Sequence, residues 1–168
     1  MLRASLLTAG VWLGFLVASW VVATLSFKSA DRVAGPEARV EVAAKLAPVS
    51  AEDRRMVLRH LAAEINRGMF RVWAAVQLVL GLTLVGLAWR LGGAPRILAA
   101  VAVALVLVQA LALGPAIAAV GRGLDFLPRP LPPELGRRFG ALHTAYAVAD
   151  LVKAAALTGL SVLLLRRP

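Results

Sequence analysis

Four apolar segments, each about as long as the hydrocarbon core of a bilayer is thick, constrain this 168-residue chain more than any other feature. They cover about residues 4–27, 69–89, 97–120 and 144–165. A helix needs roughly 20 mainly apolar residues to cross that core. Lipid offers the backbone no hydrogen-bond partners, so a spanning segment must satisfy its own peptide groups, as a helix does. The sequence therefore predicts one membrane domain, residues 1–168, with an all-α fold: an integral membrane four-helix bundle.

The composition excludes several classes of protein. Hydrophobic residues make up 60% of the chain and charged residues only 17%, which leaves too little polar surface to cover a soluble globule. The absence of cysteine excludes disulfides, thiolate catalysis and cysteine metal sites. A net charge of +10 would suggest nucleic acid for a soluble protein, but arginines that flank apolar helices typically meet anionic headgroups. We therefore expect the lipid bilayer and anionic lipids as partners, and no nucleic acid.

The first apolar segment has two interpretations. Residues 4–27 contain no charge and lie between Arg3 and Lys28, so the basic start is compatible with a secretory signal peptide. A signal core is typically about 7 to 15 residues long, however, and this run is much longer. Cleavage after Ala30 would also place Lys28 where a small residue is favoured. The pattern favours a retained span over a cleaved signal.

Residues 28–68 form a charged first loop with an amphipathic helix. The Ser50 hydroxyl can cap a helix, and Asp53 three residues later approximates the reciprocal partner of a capping box. Apolar residues then recur at helical spacing, namely Leu58, Leu61, Ile65, Met69 and Val72. We predict that this helix is continuous with the second span.

The remaining connections set the order of the spans. The seven-residue turn 90–96 is short enough to make spans two and three an antiparallel hairpin. Gly114 and Pro115 should kink or end the third helix. The loop 121–143 contains four prolines within residues 127–133, which favours a polyproline-like segment that cannot continue a helix.

Small and aromatic residues predict how two spans are placed. Gly10, Gly14 and Ala18 form a ridge of small residues on span one that suits close helix packing. Trp73 and Trp89 lie near the two ends of span two, where tryptophans anchor helices at the headgroups. We give these tryptophans an anchoring role only.

Basic residues predict the orientation. The two longer loops contain eight and four Lys and Arg residues, whereas the opposite side contains five arginines: Arg3, Arg90, Arg96, Arg166 and Arg167. The positive-inside rule then places the long loops in the cytoplasm, and we expect a bacterial inner membrane. When these counts are divided by loop length, however, the basic residues are denser on the side of the short turn, which favours the opposite orientation.

Polar residues on two spans predict a buried cluster. Ionisable groups in the hydrocarbon region are costly, so each one needs a partner. The fourth span has a stripe at intervals of three or four residues, which places it on one face toward the bundle interior: His143, Tyr146, Asp150 and Lys153. The second span offers a complementary set at the same membrane side: Asn66, Arg67, Arg71 and Gln77. We expect Asp150 to pair with Arg71 or Lys153. If Arg71 is the partner, Lys153 needs an acceptor of its own, for which Gln77 and Gln109 are the candidates.

Three interpretations of these residues remain open. Polar groups that bond across a bundle can fix helix register and have no other role. A buried Asp and Lys with nearby Tyr and His also occurs in carriers and proton relays. The third interpretation is a metal or haem site with His60, Glu64 and His143 as ligands. The first interpretation predicts no cofactor.

Two stretches resemble the transmembrane protein 205-like family of small four-span membrane proteins, which includes domain of unknown function 4149. One runs from Glu64-Ile65-Asn66-Arg67 through Phe70 and Trp73 to Gln77, and the other from Phe139-Gly140-Ala141-Leu142-His143 through Tyr146 and Asp150 to Lys153. The resemblance implies a four-span fold and names no reaction. More distantly, the family resembles a superfamily that contains copper-resistance membrane proteins and a haem-dependent protoporphyrinogen oxidase. This chain departs from the oxidase pattern because span one contains no histidine.

The leading functional prediction is a non-enzymatic integral membrane protein, either an accessory subunit or a small envelope factor. Such a protein would assemble with a membrane protein partner or as a homo-oligomer. The first alternative is a carrier or a proton- or ion-responsive protein that uses Asp150 and Lys153, and the second is a haem- or metal-binding redox protein. The chain contains no nucleotide-binding loop, nucleophile elbow or zinc-protease motif that would indicate hydrolysis.

Overall fold

The structure, a computed structural model, describes residues 1–127 and 130–167. The helices in these ranges are α1 (Leu2–Ala34), α2 (Val40–Leu46), α3 (Ala51–Trp89), α4 (Gly93–Val108), α5 (Gly114–Leu124) and α6 (Pro133–Leu165). A π-helical segment, Gln109–Leu113, joins α4 to α5, so the two form one continuous helix of 32 residues. The described residues form no β-strand. The predicted all-α fold is confirmed.

Four of these helices are long and apolar enough to cross a membrane: α1, α3, the joined α4 and α5, and α6. The predicted amphipathic helix is part of α3, which begins where the Ser50 side chain accepts a hydrogen bond from the Asp53 amide at 3.0 Å. With 39 residues at about 1.5 Å each, α3 is longer than a bilayer is thick. Part of α3 therefore extends beyond the hydrocarbon core, and the predicted amphipathic helix is continuous with the apolar span as expected.

The long helices pack antiparallel in chain order. Helices α1 and α4 each pack against both α3 and α6. The buried apolar core lies toward the end that contains the turn between α3 and α4: Ala9, Trp12, Leu16, Leu84, Ala88, Ala99, Ala102, Val106, Leu157, Leu160 and Leu164. Large apolar side chains also cover the outside, for example Leu7, Val79 and Leu111, which are 69%, 65% and 76% exposed. An outer surface of this kind suits lipid as its solvent.

A close helix contact lies at Gly81 of α3. A Cβ atom at this position would lie 2.6 Å from Cγ2 of Val103 and 2.9 Å from the ring of Trp12. The missing side chain therefore lets α3 approach α1 and α4 together. The predicted contact ridge on α1 packs against no helix of this chain, because a Cβ atom at Gly10 or Gly14 would meet nothing within 4 Å. The bulky Trp12 turns its own face of α1 inward, and the small residues face outward.

Proline determines the shape of the third long helix and the start of the fourth. Pro115 has no amide hydrogen and its ring crowds the preceding turn. The chain adapts without ending the helix, since the amide of Gly114 bonds to the carbonyl of Gln109, five residues back. Pro133 is the first residue of α6, a position where its missing donor costs nothing, so α6 begins before residue 144. Of the predicted polyproline-like segment, residues 128–129 lie outside the described residues.

Candidate functional site

A buried ion pair lies on the inner face of α6. Asp150 and Lys153 are one helical turn apart, with 2.8 Å between Nζ and Oδ1. They are 3% and 0% exposed, so both charges have left water. Two charges in a low-dielectric interior are tolerable only when they are paired and hydrogen-bonded. Of the two cations that the sequence offered to Asp150, the structure pairs it with Lys153, because Arg71 is exposed and its Nε bonds to the Arg67 carbonyl at 3.4 Å.

The ammonium group of Lys153 has a second partner on another helix. It donates to Oε1 of Gln77 on α3 at 2.6 Å. The indole Nε1 of Trp12 on α1 donates to the same oxygen at 3.1 Å. A carbonyl oxygen has two lone pairs, so these two donors fill it. Helices α1, α3 and α6 therefore meet at one amide oxygen.

The carboxylate of Asp150 accepts hydrogen bonds from side chains on two further helices. Its Oδ2 accepts from Nε1 of Trp20 on α1 at 3.0 Å. Its Oδ1 accepts from Nε2 of Gln109 in the π-helical segment at 2.9 Å, and the same amide donates to the Tyr146 carbonyl at 3.0 Å. All four long helices thus contribute to one set of contacts. We call it the central polar network: Trp12, Trp20, Gln77, Gln109, Asp150 and Lys153.

Trp12 and Trp20 are members of the network that the sequence interpretation missed. Both were available as a signal, because they lie within the apolar run of span one and not only at its ends. A buried indole N–H usually needs an acceptor, so tryptophans at such depth indicate a polar partner on a neighbouring helix. Trp12 is fully buried, whereas Trp20 is 40% exposed and places one edge of the network near the outer surface.

Three other predicted residues lie outside the network's side-chain contacts. The ring of Tyr146 packs edge-on against Phe70 with centroids 5.7 Å apart, and only its backbone bonds to Gln109. Asn66 donates to the Ala23 carbonyl at 3.4 Å and so connects α3 to α1. The ring of His143 packs against Phe139 at 4.4 Å. These contacts position helices and bring none of the three side chains to the ion pair.

Arg67 belongs to a different set of contacts, between α3 and the end of α5. Its Nη1 donates to Oδ1 of Asp125 at 3.4 Å, and its Nη2 donates to Oδ2 at 2.5 Å. Nε also donates to Glu64 at 2.9 Å. His60 Nδ1 lies 2.9 Å from the same Asp125 oxygen. We call these four residues the Arg67 cluster; Asp125, which sequence interpretation did not select, follows the end of α5 directly and is brought there by the tertiary fold.

The Arg67 cluster does not fit a metal ion in its present arrangement. His60, Glu64 and Asp125 could each offer one ligand atom, and these atoms lie within 4.8 Å of one another. The guanidinium of Arg67 already binds both carboxylates, so a divalent cation would have to displace it. His143, the third ligand of the predicted set, is not part of this group. The structure therefore does not assemble the predicted ligand set of His60, Glu64 and His143.

Two chemical roles fit the geometry of the central polar network. It can hold the helices in one arrangement, or it can exchange protons or ions through Asp150 and Lys153 if the contacts open. Comparison with protein-family models, curated proteins and solved structures found no match to this chain. Any choice between the two roles therefore depends on the contacts of the network itself.

Proposed function

We propose that the protein is a non-enzymatic integral membrane protein, an accessory subunit or small envelope factor, whose central polar network fixes the relative positions of its four long helices. One observation supports this role above the others. The two charges lie on the same helix, and their remaining bonds go to side chains on every other long helix. Rotating or sliding any one of those helices would break a bond to a buried charge.

The energetics favour this structural role. Interhelical hydrogen bonds in membranes are each worth about 0.6 to 2 kcal/mol, so several at one point favour one register over its neighbours. The shared Gln77 oxygen is already filled by Lys153 and Trp12. Lys153 is also 0% exposed, so a substrate or ion could reach its ammonium group only if the packing around it opened. Such a rigid bundle is suited to presenting a constant surface to a membrane protein partner or to a second copy of itself.

A carrier or proton-responsive protein is the second candidate, and one observation favours it. Oε1 of Gln109 is buried and has no hydrogen-bond partner among the described residues. Gln109 begins the π-helical segment, and π-helical turns occur frequently at functional sites because they loosen the regular backbone ladder. An acceptor beside Asp150 with spare capacity could bind a water molecule or a small cation during transfer.

A charge-neutral double substitution distinguishes the two candidates. We expect Asp150→Asn combined with Lys153→Met to remove the ion pair, leave no unpaired buried charge and retain a folded bundle. If the network is structural, this variant should complement a strain that lacks the gene as well as the wild-type protein does. The matched functional assay is proton flux in proteoliposomes, read with an internal pH dye. Wild-type flux that disappears in the folded double variant would contradict the structural role and support the carrier.

The cytoplasmic orientation of the long loops in a bacterial inner membrane is part of the proposal. The natural chain contains no cysteine, so single cysteines can be introduced without further changes. Ala44 in α2 and Ala94 in the first turn of α4 are both exposed alanines at opposite ends of the bundle. We expect a membrane-impermeant maleimide added to intact spheroplasts to label Ala94→Cys and to leave Ala44→Cys unlabelled. Labelling of Ala44→Cys alone would show that the long loops lie outside the cytoplasm and would contradict the proposed orientation.

Kinship with the transmembrane protein 205-like family also belongs to the proposal. The motif residues Gln77, Asp150 and Lys153 are in mutual contact through the lysine. Residues that are far apart in sequence and contact one another in the core are suited to preserving a fold. This contact supports a shared architecture and does not point to a shared reaction.

A further inference from the structure

The bundle end that contains the turn between α3 and α4 has arginines and no Asp or Glu side chain. Five arginines lie on the helix ends and the turn that meet there: Arg3, Arg90, Arg96, Arg166 and Arg167. Nη1 of Arg167 donates to the Leu91 carbonyl at 3.0 Å, which holds the end of α6 against the turn. Apart from buried Asp150, every Asp and Glu lies in residues 31–64 or 125–134, at the opposite end. This end therefore attracts anions.

An apolar groove begins at this end and follows the outer face of α4. It has a volume of about 400 Å³ and is lined by Trp89, Arg96, Ile97, Ala100, Val101 and Ala104. Positions 97, 100, 101 and 104 share one helical face, so the groove extends for about 10 Å along the helix axis. Two alanines in this row keep the groove open. The groove is shallow and open to the outside, and it leads from the charged end toward the middle of the span.

Arg96 and Trp89 define the mouth of the groove. The guanidinium carbon of Arg96 lies 4.9 Å from the centroid of the Trp89 ring, a cation–π contact that holds the arginine over the groove. Trp89 is 63% exposed at the end of α3, the level at which tryptophans meet lipid headgroups. With no Asp or Glu at this end, no carboxylate side chain competes for the guanidinium donors. Their planar fork matches the oxygens of a phosphate group.

We propose that Arg96 and this groove bind one anionic phospholipid, with its phosphate at Arg96 and an acyl chain along Ala100 and Ala104. The positive end supplies the charge that selects an anionic headgroup, and the adjoining apolar surface supplies the seat for the chain. A soluble anion would use only the charge. A protein helix would need an acidic residue at the level of Arg96 and would compete with the surrounding lipid.

Native mass spectrometry of the full-length protein in detergent tests the charged half of the site. Phosphatidylglycerol and phosphatidylcholine are added at equal concentrations, and the lipid retained per protein is counted. We expect wild type to prefer phosphatidylglycerol and Arg96→Gln to bind it about fivefold more weakly, since one arginine near a headgroup contributes about that factor. Arg166→Gln is the matched control, because Arg166 is exposed at the same end and does not line the groove. Equal losses in both variants would overturn the proposal in favour of general charge attraction.

Ala100→Phe tests the apolar half without changing any charge. The new ring would fill the groove, and because Ala100 faces outward, the bundle should keep its melting temperature. We expect a loss of phosphatidylglycerol binding comparable to that of Arg96→Gln. Unchanged lipid binding in this variant would overturn the acyl-chain seat, and a wild-type protein without preference between the two lipids would overturn the site as a whole.

Discussion

Asp150→Asn should lower the free energy of unfolding by about 3 kcal/mol, because removing one member of a buried ion pair leaves the other charge uncompensated. Lys153 would keep its 2.6 Å bond to Gln77 but lose its carboxylate at zero exposure to solvent. Trp20 and Gln109 would also face a neutral amide in place of a charged acceptor. The measurement is reversible unfolding in mixed detergent, followed by helical circular dichroism.

Two further variants make this result specific to the pair. Asp31→Asn is the matched control, since this carboxylate is 45% exposed and lies 3.7 Å from Arg59. Its removal should change stability by no more than about 1 kcal/mol, as is typical of exposed pairs. Asp150→Asn combined with Lys153→Met should recover most of the loss, because no buried charge remains. If Asp150→Asn were as stable as Asp31→Asn, the ion pair would not be essential to the bundle.

Gly81→Ala should destabilise the protein by about 1 to 3 kcal/mol, the usual cost of forcing extra volume into a packed core. The added methyl group would lie 2.6 Å from Val103 and 2.9 Å from the ring of Trp12. The side chain of Val103 can rotate, but Trp12 is fully buried and its indole is bonded to Gln77. The overpacking should therefore be transmitted to the central polar network, and the same unfolding assay would measure it.

Gly86→Ala provides the control on the same helix. A Cβ atom at Gly86 would meet nothing within 4 Å, so this substitution adds helix propensity without a clash. Its stability should equal or exceed that of the wild type. Combining Gly81→Ala with Val103→Ala should recover part of the loss by relieving the contact with Val103. Equal stability of Gly81→Ala and Gly86→Ala would show that α3 has room to move away from its neighbours.

The pairing of Asp150 shows where helical periodicity stops being informative. Spacing alone places Asp150 and Lys153 on one face of α6. It also places Arg71 and Gln77 together in the second span, which belongs to α3. It does not give the rotation of one helix relative to the other, and so both Arg71 and Lys153 remained as partners. In the structure α3 presents Gln77 to the lysine and leaves Arg71 at the exposed surface.

The Arg67 cluster depended even more on tertiary structure. Glu64 and Arg67 are three residues apart on one helix, so their contact follows from sequence spacing. Asp125 is far away in the chain and meets Arg67 only because the third long helix continues through its π-helical segment to Leu124. The prolines before α6 gave no indication of where that carboxylate would lie.

By itself, the sequence determined the properties that are local in the chain. Apolar length predicted the four helices, Ser50 with Asp53 predicted the start of α3, and the spacing of Asp150 and Lys153 predicted an inward polar face. The tertiary structure decided which faces meet: it turned Trp12 inward and Gly10 outward, and it chose Lys153 over Arg71. The physical reason is that hydrogen bonding within a helix fixes its own geometry, whereas the rotation and depth of one helix against another are set by packing and by the few polar bonds between them.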